Sequence, residues 1–256
     1  MPQKTVRMEL NYILLIFIGF LAGIINTLAG GGSLITLPIL IFMGLPEAIA
    51  NGTNRIAILL QTASAVSGYK SKGVTTFPFS LYIGLSALVG SVIGASIAVE
   101  IHGATFNKVL AIVMVVVVLL IVFGKNKKLL SNTPEITTGK TLFTSCIIFF
   151  FIGIYGGFLN AGIGVVMLLV LPYVNKLSLV KANATKVTVA FIYTTAAVVV
   201  FIVNDKINWT YGLTMAIGNV SGAWLASRYS VKKGDRFIRI ALLVIVTGMA
   251  MKLWFF

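Results

Sequence analysis

Apolar residues run along the chain in ten blocks, at 11–29, 33–43, 48–69, 78–99, 104–123, 141–159, 163–174, 183–203, 209–227 and 237–256. Short polar stretches separate them. A helix needs about 20 residues to cross the hydrocarbon layer of a bilayer. Eight blocks meet that length, and the blocks at 33–43 and 163–174 do not. The pattern predicts an all-α, polytopic membrane protein with crossing helices and two short helices, and it leaves no room for a sizeable soluble domain.

Both short blocks follow an interruption. The first apolar block ends in NTLAGGGSL, at 26–34, and the block at 141–159 ends in NAGIGVVML, at 160–168. Glycine runs are poor helix formers. Interrupted backbone at membrane depth is tolerated only against protein or a water-filled cavity.

The two halves align in order. At a shift of 134, Gly19, Gly23, Asn26, Gly30 and Pro38 fall on Gly153, Gly157, Asn160, Gly164 and Pro172. At a shift of 132, Ala50, Asn51, Thr53 and Thr62 fall on Ala182, Asn183, Thr185 and Thr194. At a shift of 128, Gly84, Gly90 and Gly94 fall on Gly212, Gly218 and Gly222. The expectation is two repeats of four to five helical segments, 1–130 and 131–256, joined through the polar insert 125–140 into one transmembrane unit. Each repeat contributes an interrupted helix and a short half-helix.

Composition agrees with the pattern. Of 256 residues 58% are hydrophobic and 10% charged, with mean hydropathy +1.02; soluble domains carry about 25% charged residues. The net charge of +14 sits on short loops, where it sets orientation, so nucleic acid is not an expected partner. The basic N-terminus before an apolar run is reminiscent of a signal peptide, but no small-residue cleavage site ends a short core, so it reads as part of the mature chain.

Charge also bears on topology. If the first two blocks form a hairpin that enters and returns to one side, each half crosses three times and the second half is inverted. With the N-terminus outside, the inner loops hold Lys70, Lys72, Lys125, Lys127, Lys128, Lys140, Lys176, Lys181, Arg228, Lys232, Lys233, Arg236 and Arg239. The outer segments hold Lys4, Arg7, Lys108, Lys206 and Lys252, a split of 13 to 5. Eight ordinary spans in parallel halves give 10 against 8. The positive-inside rule favours inversion. Small residues every fourth position, Ser86, Gly90, Gly94, Ala98 and Thr214, Gly218, Gly222, Ala226, predict close helix packing. Packing inside the bundle is favoured over a contact between copies, and oligomerisation is left open.

The candidate chemistry concentrates at the interruptions. A helix start offers unpaired N–H groups and partial positive charge to an anion. The expected substrate contacts are Asn26, Gly30, Gly31, Gly32 and Ser33 at the first interruption, with Ser33 capping the short helix, and Asn160, Gly162 and Gly164 at the second. A second pair, ANGTNR at 50–55 and ANATK at 182–186, adds Asn51, Thr53, Asn54 and Arg55, and Asn183, Thr185 and Lys186. Arg55 can hold an oxyanion with two N–H groups, Lys186 with a point charge. Helix caps with snorkelling cations are the competing reading. Gln61 and Tyr155 are further polar residues at span depth.

Other chemistry is not expected. The six acids, Glu9, Glu47, Glu100, Glu135, Asp205 and Asp235, all lie at block ends or in loops, whereas a proton pump places a carboxylate at the midplane. The chain has one cysteine, Cys146, and one histidine, His102, too few for metal or haem sites. It has no phosphate-binding loop for ATP and no constellation for hydrolysis, so neither an enzyme nor a cofactor is expected.

AGGGSLITLP, AGIGVVMLLVLP, ANGTNR and GNVSGAWLASR together resemble the sulfite exporter TauE/SafE family of permeases over about residues 11–254. GIGVV replaces the usual triple glycine in the second half. The resemblance implies a secondary transporter in the cell membrane for a small anion: sulfite, a sulfonate or a related organic anion. The substrate is expected between the two interrupted helices, with a proton or sodium ion as coupling partner. The alternative is a channel-like or accessory membrane protein without coupled transport.

Overall fold

Inside a bilayer every backbone N–H and C=O must find a partner within the protein, and a helix satisfies them within one segment. The apolar blocks accordingly form helices. The computed structural model describes residues 2–123 and 134–255. The helices are α1 (Pro2–Leu28), α2 (Ser33–Phe42), α3 (Glu47–Lys70), α4 (Phe79–Glu100), α5 (Gly103–Phe123), α6 (Gly139–Phe158), α7 (Ile163–Val174), α8 (Leu179–Val203) and α9 (Trp209–Phe255). No strand occurs among the described residues. The last two apolar blocks join in α9, which bends at Gly234 (φ 70°, ψ −169°) into arms at 209–233 and 235–255. The expected boundary at 130/131 lies outside the described residues.

Four described segments are long and apolar enough to cross a membrane: Asn11–Leu28, Phe79–Glu100, Gly139–Phe158 and Leu179–Val203. Large apolar side chains such as Phe17, Phe143, Phe151 and Ile217 point outward from them and from α9, as lipid-facing residues do. The buried surface holds small residues and a group of polar ones, Ser91, Asn160 and Asn183 among them. α3 is the most polar of the packed helices: Asn51, Thr53, Asn54, Arg55, Gln61 and Thr62 are all buried along it.

The small-residue stripes bring backbones together. Gly19 and Gly23 of α1 lie against the backbone of Met215 and Asn219 in α9, while Gly218 and Gly222 of α9 lie against Ile16 and Phe20 in α1. Between α6 and α4, Gly153 and Gly157 meet Ala87 and Ser91, and Gly90 and Gly94 meet Phe150 and Ile154. At each of these eight glycines a Cβ would strike backbone, which cannot swing aside as a side chain can. In lipid, where burying an apolar surface brings little hydrophobic gain, close packing of this kind drives helix association. Both stripes are therefore used inside the chain. α3 and α8 run between these pairs. Ser64 Oγ of α3 donates to Val220 O of α9 (2.9 Å), and Ser91 Oγ of α4 donates to Tyr193 O of α8 (2.8 Å).

Candidate functional site

The connections α1–α2, at 29–32, and α6–α7, at 159–162, meet in the interior. Gly30 has φ 81°, Asn160 φ 60° and Gly162 φ 71°. These left-handed values turn the chain between helices; glycine adopts them freely and asparagine tolerates them. A Cβ on Gly30 would strike Gly164, and one on Gly164 would strike Gly30, so the α1–α2 connection touches the start of α7 backbone to backbone. The Tyr155 hydroxyl donates to Ala161 O and holds the second turn.

The last carbonyls of a helix lack the backbone donors of the next turn; at the end of α1 Asn26 O still accepts from Gly30 N (2.9 Å). Side chains from the opposite half of the chain take up those of α1 and α6. From α8, Lys186 Nζ donates to Asn26 O (2.9 Å) and Thr27 O (2.9 Å), and Asn183 Nδ2 donates to Leu28 O (3.3 Å). From α3, Arg55 donates through Nη1 to Gly156 O (2.8 Å) and through Nη2 to Gly157 O (2.5 Å). Asn51 Nδ2 donates to Phe158 O (2.8 Å). In each case an asparagine takes the final carbonyl of the helix and a cation one turn further along takes the two before it. The cations sit at the negative ends of two helix dipoles.

A narrow cavity lies between α1, α3, α7 and α8. Its polar lining is Asn26, Gln61, Thr62, Asn160, Lys186 and Tyr193, and Ile58, Met167 and Ala190 are among the apolar residues opposite. About 20 Å³ is open to the centres of water-sized molecules, whereas roughly 10–15 Å³ is needed to admit one water. Asn26 Nδ2 donates to Gln61 Oε1 (2.9 Å), and the Tyr193 hydroxyl donates to Asn160 Oδ1 (2.5 Å). Gln61 is 1% exposed, and its Nε2 has no hydrogen-bond partner. Ile163 and Gly164, the first residues of α7, line the same space.

Of the residues expected at the site, Asn26, Asn160, Gly164 and Lys186 line this cavity. The others lie elsewhere. Arg55 is fully buried, donates through Nη1 and Nη2 to the two α6 carbonyls while its Nε has no hydrogen-bond partner, and stacks 5.0 Å from the Phe201 ring centre. Asn51 and Asn183 hold helix ends. Asn54 Oδ1 accepts from Thr36 Oγ1 (2.7 Å), Thr53 Oγ1 accepts from Asn208 N (2.8 Å), and Thr185 Oγ1 donates to Lys181 O (2.8 Å). Ser33 begins α2 but makes no capping hydrogen bond; the N-cap is Gly32, itself packed against Ala22 and Asn26. Gly30 shapes the turn without lining the cavity, and neither Gly31 nor Gly162 lines it. Tyr193 was not among the expected residues. Its signal was its spacing: Lys186, Ala190 and Tyr193 share one face of α8.

Lys186 and Arg55 are buried without a carboxylate partner. Among the described residues the ion pair found is Lys181–Glu135 at the surface (2.5 Å), and no described acidic side chain is buried.

A sequence model of the sulfite exporter TauE/SafE family matches residues 15–253. The chain is similar to a probable membrane transporter protein, ORF9, of a Sinorhizobium species, with 28% identity covering 96% of this chain and 94% of that one. It is 29% identical to a probable membrane transporter protein of Haemophilus influenzae, covering 94% and 93%. It is 27% identical to the probable membrane transporter protein YfcA of Escherichia coli K12, covering 93% and 88%. No solved structure matches it. With a family match over nearly its whole length and helices of crossing length, the chain belongs to the sulfite exporter TauE/SafE family, as a multi-pass cell-membrane protein of a transporter family and not an enzyme.

Proposed function

We propose that the chain is a secondary transporter that carries one small anion, such as sulfite, a sulfonate or a related organic anion, through the cavity lined by Asn26, Gln61, Asn160, Lys186 and Tyr193. One observation carries the reading: two cations are buried at membrane depth with neutral oxygens around them and no carboxylate. An uncompensated buried charge is costly, and an anion beside Lys186 offsets that cost. The unpartnered Gln61 Nε2 supplies a donor to the same place, and Gly164 at the start of α7 lines it. Arg55, which donates to Gly156 O and Gly157 O and does not line the cavity, positions the end of α6 rather than contacting the anion.

The two-repeat, inverted architecture belongs to this proposal. It is supported by the exchange of partners, α1 with α9 against α6 with α4, and Lys186–Asn183 on α1 against Arg55–Asn51 on α6. The 13 to 5 charge split favours the same arrangement. Such repeats place a substrate between interrupted helices near the midplane and move one unit against the other. The narrow space fits an alternating carrier better than an open pore.

Purified protein in proteoliposomes tests the function. Uptake of labelled sulfite, methanesulfonate and a small carboxylate is measured under imposed proton and sodium gradients. Saturable uptake of at least one anion is expected. Flux that rises in proportion to the gradient without saturating indicates a channel, and absence of flux for all three rejects the anion reading.

A further inference from the structure

In transporters built on interrupted helices, the free carbonyls at helix C-terminal ends hold the coupling cation. Here that position is filled by a side chain. Lys186 Nζ lies 2.9 Å from Asn26 O, 2.9 Å from Thr27 O and 2.6 Å from Asn183 Oδ1. Three neutral oxygens thus surround one ammonium group, and each of its three N–H bonds has an acceptor. Lys186 and Asn183 are buried. Carbonyl and amide oxygens are ligands of hard cations such as sodium. The negative end of the α1 dipole points to the same spot.

We infer that Lys186 is a tethered cation occupying a cation site formed by the end of α1 and Asn183, so that anion transport needs no sodium ion there. The inference rests on the anion reading for its transport consequence, but the cation site itself stands on these oxygen contacts alone. The cation is supplied by the chain, stays with the cavity through the cycle, and leaves only the anion to be exchanged. Arg55 fills the matching place at the end of α6, where Gly156 O and Gly157 O receive its fork. Both helix ends therefore carry charges built into the fold.

Emptying the site exposes it. In Lys186→Ala the oxygens of Asn26, Thr27 and Asn183 lose their cation and should accept a free one. Propylammonium replaces the missing part of the side chain; sodium chloride and choline chloride serve as the second probe and the control. Titrating purified Lys186→Ala with propylammonium chloride should raise its apparent melting temperature saturably, with sodium chloride giving a smaller rise and choline chloride none. Wild type should show no such response. The melting arm uses no transported anion, so it reads the site even where sulfite fails to bind. In proteoliposomes, wild-type sulfite uptake should be unchanged when N-methyl-D-glucamine replaces sodium, which holds whether or not the variant folds. A folded Lys186→Ala that responds to none of these cations overturns the inference, and so does wild-type uptake that requires sodium.

Discussion

Gly30→Ala tests the close meeting of the α1–α2 connection with the start of α7. Gly30 has φ 81°, and an L-residue held left-handed costs about 1–2 kcal/mol. Its new Cβ would also strike the backbone of Gly164; forcing such overpacking costs about 1–3 kcal/mol. The sum is about 2–5 kcal/mol. Two companions separate the terms. Gly44 has φ 91° with nothing within 4 Å of an added Cβ, so Gly44→Ala carries the strain alone. Gly164 has no left-handed strain but its Cβ would strike Gly30, so Gly164→Ala carries the collision alone. Melting of the purified variants in one detergent should rank Gly30→Ala as the least stable of the three. Sulfite affinity should fall in Gly30→Ala and Gly164→Ala, because α7 must move at the cavity wall, and stay unchanged in Gly44→Ala. If Gly30→Ala melts no lower than Gly44→Ala, the α1–α2 connection is not in backbone contact with α7 and the geometry of the site is wrong.

Lys186→Ala should weaken sulfite binding more than Arg55→Ala, because Lys186 lines the cavity and Arg55 does not; with its three N–H bonds on Asn26 O, Thr27 O and Asn183 Oδ1, Lys186 acts on the anion through its charge. Titration of both variants decides this, and the reverse order returns the binding role to Arg55. Tyr193→Phe removes the donor to Asn160 Oδ1 and should lower affinity by about 2- to 12-fold with the fold intact; an unchanged affinity removes Tyr193 from the site. For topology, Asn132→Cys in a Cys146→Ser background should resist an impermeant thiol reagent in intact cells and react in inside-out vesicles. Ready labelling from outside contradicts the inverted arrangement.

The helices were legible because the bilayer imposes a length on every crossing and the chain writes that length as apolar blocks. The boundaries of α2 and α7 were equally legible from the glycines before them. Which helices the small-residue stripes would join was not: Gly90 and Gly218 share one local pattern, and only the fold sends the first to α6 and the second to α1. Arg55 shows the same limit at the site. A cation following two asparagines looks like an anion ligand, but its partners are the carbonyls of Gly156 and Gly157. Backbone groups leave no mark in a sequence. Tyr193 leaves no mark in the match between the halves, because its aligned partner is Gln61, a residue of different shape and chemistry.

The central claim is that one anion is held jointly from the two interruptions. Asn26 and Asn160, one from each, line the same cavity. The direct measurement is a double-mutant cycle of sulfite affinity on wild type, Asn26→Ala, Asn160→Ala and the double variant, by calorimetry on purified protein. Each single variant should bind more weakly, and the double variant should lose less than the sum of the two, because residues sharing one partner couple by about 0.5–3 kcal/mol. Unchanged affinity in both single variants, or losses that add to within about 0.5 kcal/mol, contradicts a single shared anion between the two interruptions.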